Sequence, residues 1–315
     1  MHGRKFHRFF HLLILLSALG VSALAQPDSL APRPFVAIIS WDGAKARVVK
    51  HMTEQGTLPT LSRLLPNGAY TFQAHTIVPS KTLPSHTSML TGVSPSVHGI
   101  LWNRYEPEKG PVKVPTVFEL AKQHGYRTAM IFAKSKFQHL VRPGTVDTAV
   151  YVRGNALEVM KTAIQVLRVR RPHLVFIHLP DPDRTGHQYG WGNDQKGIPP
   201  SKEYLKALQR CDQALGFLVD SLKAWGWWDD AVLIITADHG GYDRTHGSAD
   251  PEDVEIPWIA VGGRVPSKGA LRATVKTMDT AATALKALGV PIPKSWEGRP
   301  VLSFRSLLQP KKAAP

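Results

Sequence analysis

Three short runs, FVAIIS at 35–40, HLVFIHL at 173–179 and AVLIITA at 231–237, are apolar at almost every position and rich in β-branched and aromatic residues. A strand with no polar alternation has no face to give to water, so it belongs inside a parallel sheet covered on both sides. Weaker runs of the same kind are YRTAMIF at 126–132 and PWIAVGG at 257–263. Between them the apolar residues recur at helical spacing, over 114–125, 156–169, 201–226 and 277–289. Alternating strands and helices predict an α/β fold: a mostly parallel central sheet with helices on both faces, joined by right-handed crossovers.

In such a sheet a ligand lies beyond the carboxyl ends of the strands, so the residues that follow each strand carry the functional information. The first run leads into Trp41-Asp42-Gly43, the second into Pro180-Asp181-Pro182-Asp183, the third into Asp238-His239-Gly240-Gly241. One aspartate in such a place is an ordinary cap or turn residue. Three delivered to one edge, with His187, His239 and His246 nearby, make a set of carboxylates and imidazoles suited to zinc and related divalent ions. Asp183 and His187 share a face if their segment is helical. Gly186 between them favours a turn.

A fourth segment, VPSKTLPSHTSMLTGVSPSVHGI at 78–100, places Pro84 where a helix can open and puts Thr82 at its positive end. Thr82 either caps that helix or acts as a nucleophile beside an anionic group. A hydroxyl nucleophile needs a base or a metal to activate it, and metal-type residues accompany this one, so the nucleophile reading is the stronger.

The order WDG, KTLPSHTSMLTGVSPSVHGI, DPDRTGHQYG, ADHGG and a later THG, from about Phe35 to His246, resembles the type I phosphodiesterase/nucleotide pyrophosphatase family of the alkaline phosphatase superfamily. The resemblance implies two divalent metal ions, zinc in most of the family. It gives Asp183, His187 and His246 to one ion, and Asp42, Asp238, His239 and the Thr82 oxygen to the other. It further implies a small anionic phosphate-ester substrate, in-line attack by Thr82 and a phosphothreonine intermediate. At Ser85 the nucleotide pyrophosphatases commonly carry asparagine, whose amide hydrogen-bonds a nonbridging phosphoryl oxygen. Serine is shorter and offers one donor, so contact there runs through water or another group.

Lys134 and Lys136, after a strand-like run, and Arg104 are candidate phosphate contacts, although solvated surface cations are the plainer expectation. His98 is expected to pack or cap. Trp102, Tyr105, Tyr189 and Trp191 flank the motifs and either stack a base or pack the core. The expected activity is phosphodiester hydrolysis, with a phosphomonoesterase or phosphonate hydrolase as the alternative. A sulfatase requires a C/S-x-P-x-R context, and Thr82-Leu83-Pro84-Ser85-His86 lacks its arginine.

Residues 1–25 read as a signal peptide: a basic start, an apolar stretch shorter than the roughly 20 residues of a membrane span, and Ala23-Leu24-Ala25 as the cleavage site. An exported protein, periplasmic or secreted and with no membrane span once cleaved, is therefore expected. Residues 26–34 read as a flexible leader, 35–310 as a single catalytic domain and 311–315 as a disordered tail. The formal charge is +15, three of it from Arg4, Lys5 and Arg8. That surplus favours anionic partners, but it is spread along the chain with no nucleic-acid-binding motif, so a non-catalytic polyanion binder is the weaker reading. Cys211, the only cysteine, excludes an intramolecular disulfide and is expected to be a packed thiol.

Overall fold

The computed structural model describes residues 34–266 and 268–304. The expected signal peptide, residues 26–33 of the expected leader and the tail lie outside the described residues. The strands are β1 (Phe35–Trp41), β2 (Ala69–His75), β3 (Thr128–Phe132), β4 (Thr148–Tyr151), β5 (Leu174–Leu179), β6 (Ala231–Thr236), β7 (Glu255–Val261) and β8 (Gly269–Ala270). The helices are α1 (Ala46–Glu54), α2 (Pro59–Leu64), α3 (Thr82–Thr91), α4 (Pro95–His98), α5 (Val117–Gln123), α6 (Ala156–Arg170), α7 (Asp181–Tyr189), α8 (Lys202–Ala224), α9 (Pro251–Val254) and α10 (Asp279–Leu288).

The strands form one sheet in the order β4-β3-β5-β1-β6-β7-β2-β8. Every pairing is parallel except those of β7, which runs antiparallel to both β6 and β2. The three strongest apolar runs lie side by side at the centre, as β5, β1 and β6, and every residue in them is buried. Helix α6 packs on β3 and β5 and against α8, while α10 packs on β1 and against α3 and α5. Sequence cues set the helix starts. Asn155 and Glu158 form a reciprocal capping box on α6, and the Ser201 hydroxyl caps α8 at the Tyr204 amide.

Register fixes where the chemistry falls. Ser40 on β1 lies opposite His178 on β5 and Thr236 on β6, so all three strands end at one level. β1 lies between β5 and β6, and the aspartates that follow the three strands meet at that carboxyl edge. Cys211 is buried in α8, as a packed thiol should be.

Candidate two-cluster metal centre

Close backbone approach at the end of β1 builds the site. Gly43 has φ +73°, and a Cβ on it would lie 2.9 Å from the Asp183 Cα. The Asp183 amide donates to the Asp42 carbonyl at 2.8 Å, and the Gly43 amide donates to Asp238 Oδ1 at 3.0 Å. Three strand ends are thereby tied through one turn that only glycine can make.

Asp183 and His187 stand on a helix, not on the turn that Gly186 suggests. Gly186 sits inside α7 because the Trp191 indole lies flat against it, where a Cβ would come within 2.2 Å of the ring. The same indole donates from Nε1 to the Gly43 carbonyl at 2.8 Å and presents its ring to His187 and His246, with centroids 5.0 and 5.9 Å away. Trp191 is fully buried and so packs the site from behind. Tyr105 and Tyr189 remain exposed. Asp181, the other aspartate after β5, is structural: it accepts from the Ala156 amide at 2.7 Å and from Arg210 Nε at 2.7 Å.

Two groups of ligand-type atoms result. Asp183, His187 and His246 bring theirs within 4.8 Å of one another, and so do Asp42, Asp238 and His239. The groups are contiguous, because the His239 and His246 rings stack at 3.6 Å and His239 Nε2 is 3.8 Å from Asp183 Oδ1. The Nδ1 of each of the three histidines faces a backbone carbonyl: His187 that of Arg244 at 3.1 Å, His239 that of Gly240 at 2.8 Å, His246 that of Ser80 at 2.8 Å. A carbonyl accepts only, so each Nδ1 is the protonated nitrogen and each Nε2 offers a lone pair. Those lone pairs face carboxylate oxygens: His239 Nε2 is 3.2 Å from Asp238 Oδ2, and His187 and His246 Nε2 are 3.4 and 3.5 Å from Asp183 Oδ1.

Acceptors facing acceptors call for a cation. Asp42 Oδ1, Asp183 Oδ1, Asp238 Oδ2 and His239 Nε2 are buried and make no hydrogen bond among the described residues. Unpaired buried groups of this kind are rare in folded proteins, and here they point at one another from residues of the types that hold divalent ions. The residues therefore fit a pair of such ions. Burial, with His239 beside it, holds His246 down to about 3, which keeps its imidazole neutral as a ligand must be. Burial and the Asp42 charge push Asp238 well above the usual carboxylate range.

Behind the ligands stand two buried histidines. His178 Nε2 donates to Asp42 Oδ2 at 2.6 Å, and its Nδ1 accepts from the Ala133 amide at 3.2 Å. His86 bridges the Ser40 hydroxyl at 2.7 Å and the Thr82 carbonyl at 2.8 Å. Thr82 is the first residue of α3 and is almost wholly buried, so the helix opens two residues before Pro84, with Lys81 as its cap residue. Ser85 is fully buried in α3, and its Oγ makes no hydrogen bond among the described residues.

The lysines are not the solvated surface cations expected. The Lys134 side chain is 15% exposed, and its Nζ lies 2.7 Å from Asp42 Oδ2, 2.5 Å from Asp183 Oδ2 and 3.3 Å from Thr82 Oγ1. Burial opposes its charge, but Asp183 and Asp42 outweigh that and raise its pKa. Lys136 donates to Asn103 Oδ1 at 3.0 Å, and burial with Lys134 beside it lowers its pKa to about 8. Both are drawn inward because the strand before them ends next to β5. Arg104 is a surface residue, with its Nε on Glu106 at 3.0 Å. His98 packs as expected, 3.0 Å from the Ser88 hydroxyl.

Asn103 is the site residue that sequence reasoning misses. Its Oδ1 accepts from the Leu83 amide at 2.9 Å as well as from Lys136, which sets its side chain over the start of α3 and leaves Nδ2 as the donor it can offer. It lies in an irregular stretch with no spacing signal, and only its nearness to the Thr82 motif hinted at a role.

A mostly parallel α/β sheet with two contiguous carboxylate-imidazole clusters at its carboxyl edge, beside a helix that opens on threonine, defines the alkaline phosphatase-like class of folds. The model of the type I phosphodiesterase/nucleotide pyrophosphatase family matches residues 36–248, and the chain belongs to that family. It is 31% identical over 227 residues to human ectonucleotide pyrophosphatase/phosphodiesterase family member 1, covering 66% of this chain and 23% of that protein. To the venom phosphodiesterase CdcPDE of Crotalus durissus collilineatus it is 25% identical, covering 68% of this chain and 27% of the other. The chain thus spans about a quarter of the length of these curated relatives. Murine ectonucleotide pyrophosphatase/phosphodiesterase 5, in an inactive form in complex with AMP, superposes with a TM-score of 0.67 at 15% identity, covering 82% of this chain and 96% of that one. A 2-O GAG sulfatase, BT1596, superposes with 0.64 at 18% identity, over 85% and 73% of the chains. At such identities the superpositions speak to fold alone.

Proposed function

We propose that the protein is an exported, metal-dependent hydrolase of phosphoric esters of the phosphodiesterase/nucleotide pyrophosphatase type, built as one catalytic domain over 35–310, with Thr82 as nucleophile and two divalent ions, zinc by preference, as cofactors. The observation that carries this reading is the set of four buried, unpaired ligand atoms on Asp42, Asp183, Asp238 and His239, beside Thr82. Export is supported by the signal-like start of the chain and by relatives whose names mark them as ectoenzymes or venom proteins.

Divalent ions held by Asp183, His187 and His246 and by Asp42, Asp238 and His239 would supply positive charge for the attacking and departing oxygens. Thr82 Oγ1 attacks phosphorus, the bond from phosphorus to the leaving oxygen breaks and the alcohol departs with the proton that Thr82 gives up, and water then hydrolyses the phosphothreonine and restores the hydroxyl. His86 holds the Thr82 backbone, and Lys134 presents its ammonium to Oγ1, where it stabilises developing alkoxide charge. Asn103 is better placed than the enclosed Ser85 to meet a nonbridging phosphoryl oxygen, so it is assigned that contact.

The test compares the protein with Thr82→Ala on bis-p-nitrophenyl phosphate, p-nitrophenyl phosphate and the thymidine monophosphate nitrophenyl ester, with and without zinc. Turnover should need zinc and fall by about a thousandfold or more in the variant, as for loss of a nucleophile, with zinc content kept. Undiminished turnover by the variant would remove Thr82 from the mechanism.

A further inference from the structure

The edge of the sheet opposite the metal centre, where the strands begin, gathers charge that the sequence spreads out. Helices α6 and α8 pack against each other, and each ends there just before a central strand, β5 or β6. The last turn of α6 carries Arg168-Val169-Arg170, and Val169 is 67% exposed, the most of any large apolar side chain among the described residues. Arg127, just before β3, folds over the end of that helix: its Nε and Nη2 donate to the Arg171 carbonyl at 3.0 and 2.7 Å. Arg171 itself has φ +49°, so a cation stands at a helix end where glycine is the unstrained choice. At the end of α8, Lys223 Nζ lies 5.3 Å over the Trp228 ring, and Trp225 and Trp228 are only partly buried. Arg127, Arg168, Arg170 and Lys223 are exposed and make no ion pair among the described residues. Of the acids at the strand starts, Asp147 is paired to Lys122, and Asp229 and Asp230 lie in the turn before β6.

The path of the chain singles out the same edge. β1 starts at its middle, with the Phe35 ring 5.9 Å from that of Trp227, so the segment before Pro34, with Arg33 and the apolar stretch at 11–25, joins the domain here. Cations around an apolar tip, flanked by partly exposed indoles, match the boundary of a bilayer that carries negative headgroups: the cations meet lipid phosphates while the valine and the rings meet the layer beneath. We propose that this edge docks on an anionic lipid surface, which leaves the metal centre facing away from the bilayer. Central strands of six or seven residues set the two edges roughly 20 Å apart, about two Debye lengths at physiological salt, so docking does not disturb the site.

The experiment measures sedimentation of the zinc-loaded protein with phosphatidylcholine vesicles, with and without phosphatidylglycerol, at low and physiological salt. It compares the wild type with Arg168→Gln/Arg170→Gln and with Val169→Ser, each checked for melting temperature. Binding should require phosphatidylglycerol, weaken with salt and fall about tenfold or more in the double variant, since each cation near an anionic surface contributes severalfold. Val169→Ser should weaken it by a smaller factor at both salt concentrations. Turnover of bis-p-nitrophenyl phosphate should be unchanged in the double variant, and equal for bound and free wild-type protein. Binding equal on the two vesicle types, or unaltered in the double variant, would overturn the proposal. Duplex DNA bound as tightly as the vesicles, with both indifferent to Val169→Ser, would mark a general polyanion surface and overturn it too. Turnover lost on vesicle binding would overturn the orientation.

Discussion

Lys134 Nζ lies 2.7 Å from Asp42 Oδ2, and the same ammonium reaches Asp183, so one lysine links a carboxylate from each ligand cluster. Burial works against charge on Asp42, yet Lys134 first and His178 next hold its pKa well down. The ammonium therefore stabilises the carboxylates that divalent ions would also neutralise. Lys134→Met should lower the melting temperature of the zinc-free protein by several degrees, since removing one partner of a buried pair costs about 3–5 kcal/mol. Zinc should narrow that gap. Calorimetry in chelator and in zinc measures both, and an identical gap in the two would mean that the ammonium and the ions do not share these carboxylates.

Gly186→Ala adds a methyl where the Trp191 ring already stands, 2.2 Å from the built Cβ. Alanine's helix propensity favours the change by about 1 kcal/mol, but overpacking against a buried indole opposes it by about 1–3 kcal/mol or more. The urea midpoint should fall, and zinc binding should weaken with it because Trp191 backs His187 and His246. Wild-type zinc affinity in a destabilised variant would separate the indole from the metal site.

Asp253 is fully buried and its Oδ2 accepts from the Gly247 amide at 2.9 Å, the Ser248 amide at 2.8 Å and the Ser248 hydroxyl at 2.7 Å. It thereby anchors the loop that carries His246. Asp253→Ala should weaken zinc binding by about 10- to 100-fold, the usual effect of losing a group that orients a ligand, and Asp253→Asn by less. Competition with a zinc chelator measures it.

His98 is pushed down to about 4, by burial despite the opposing charge of Glu297. Its Nδ1 accepts from the Ile100 amide at 3.0 Å, which a protonated ring cannot do. Between pH of about 6.5 and about 4 the unfolded chain binds the proton that the folded one refuses, so stability falls as pH falls through that window, by up to about 1.4 kcal/mol per pH unit. Urea midpoints at pH 7 and pH 5 should draw closer together in His98→Gln. His173, held to about 4 by burial and Arg127, maintains part of the slope in the variant.

The sequence by itself determined the sheet's centre and its chemistry. Strands buried on both faces must be apolar throughout, so β1, β5 and β6 announced themselves, and the aspartates after them needed only a shared edge. Strands β2, β4 and β8 and the antiparallel course of β7 were not legible. Strands at the sheet's edges, β4 and β8, and β2 beside one of them take mixed residues, and strand direction depends on which neighbour the chain returns to. Tertiary structure alone decided the rest. Gly186 reads locally as a turn, but an indole from beyond the helix requires its missing side chain. Lys134 and Lys136 look like surface residues until the end of β3 lands beside β5, with Lys134 against Thr82, and Asn103 carries no local signal until the fold sets it over the start of α3. Local sequence encodes burial and periodicity, whereas the surroundings of a charge are set by chain segments far away along the sequence.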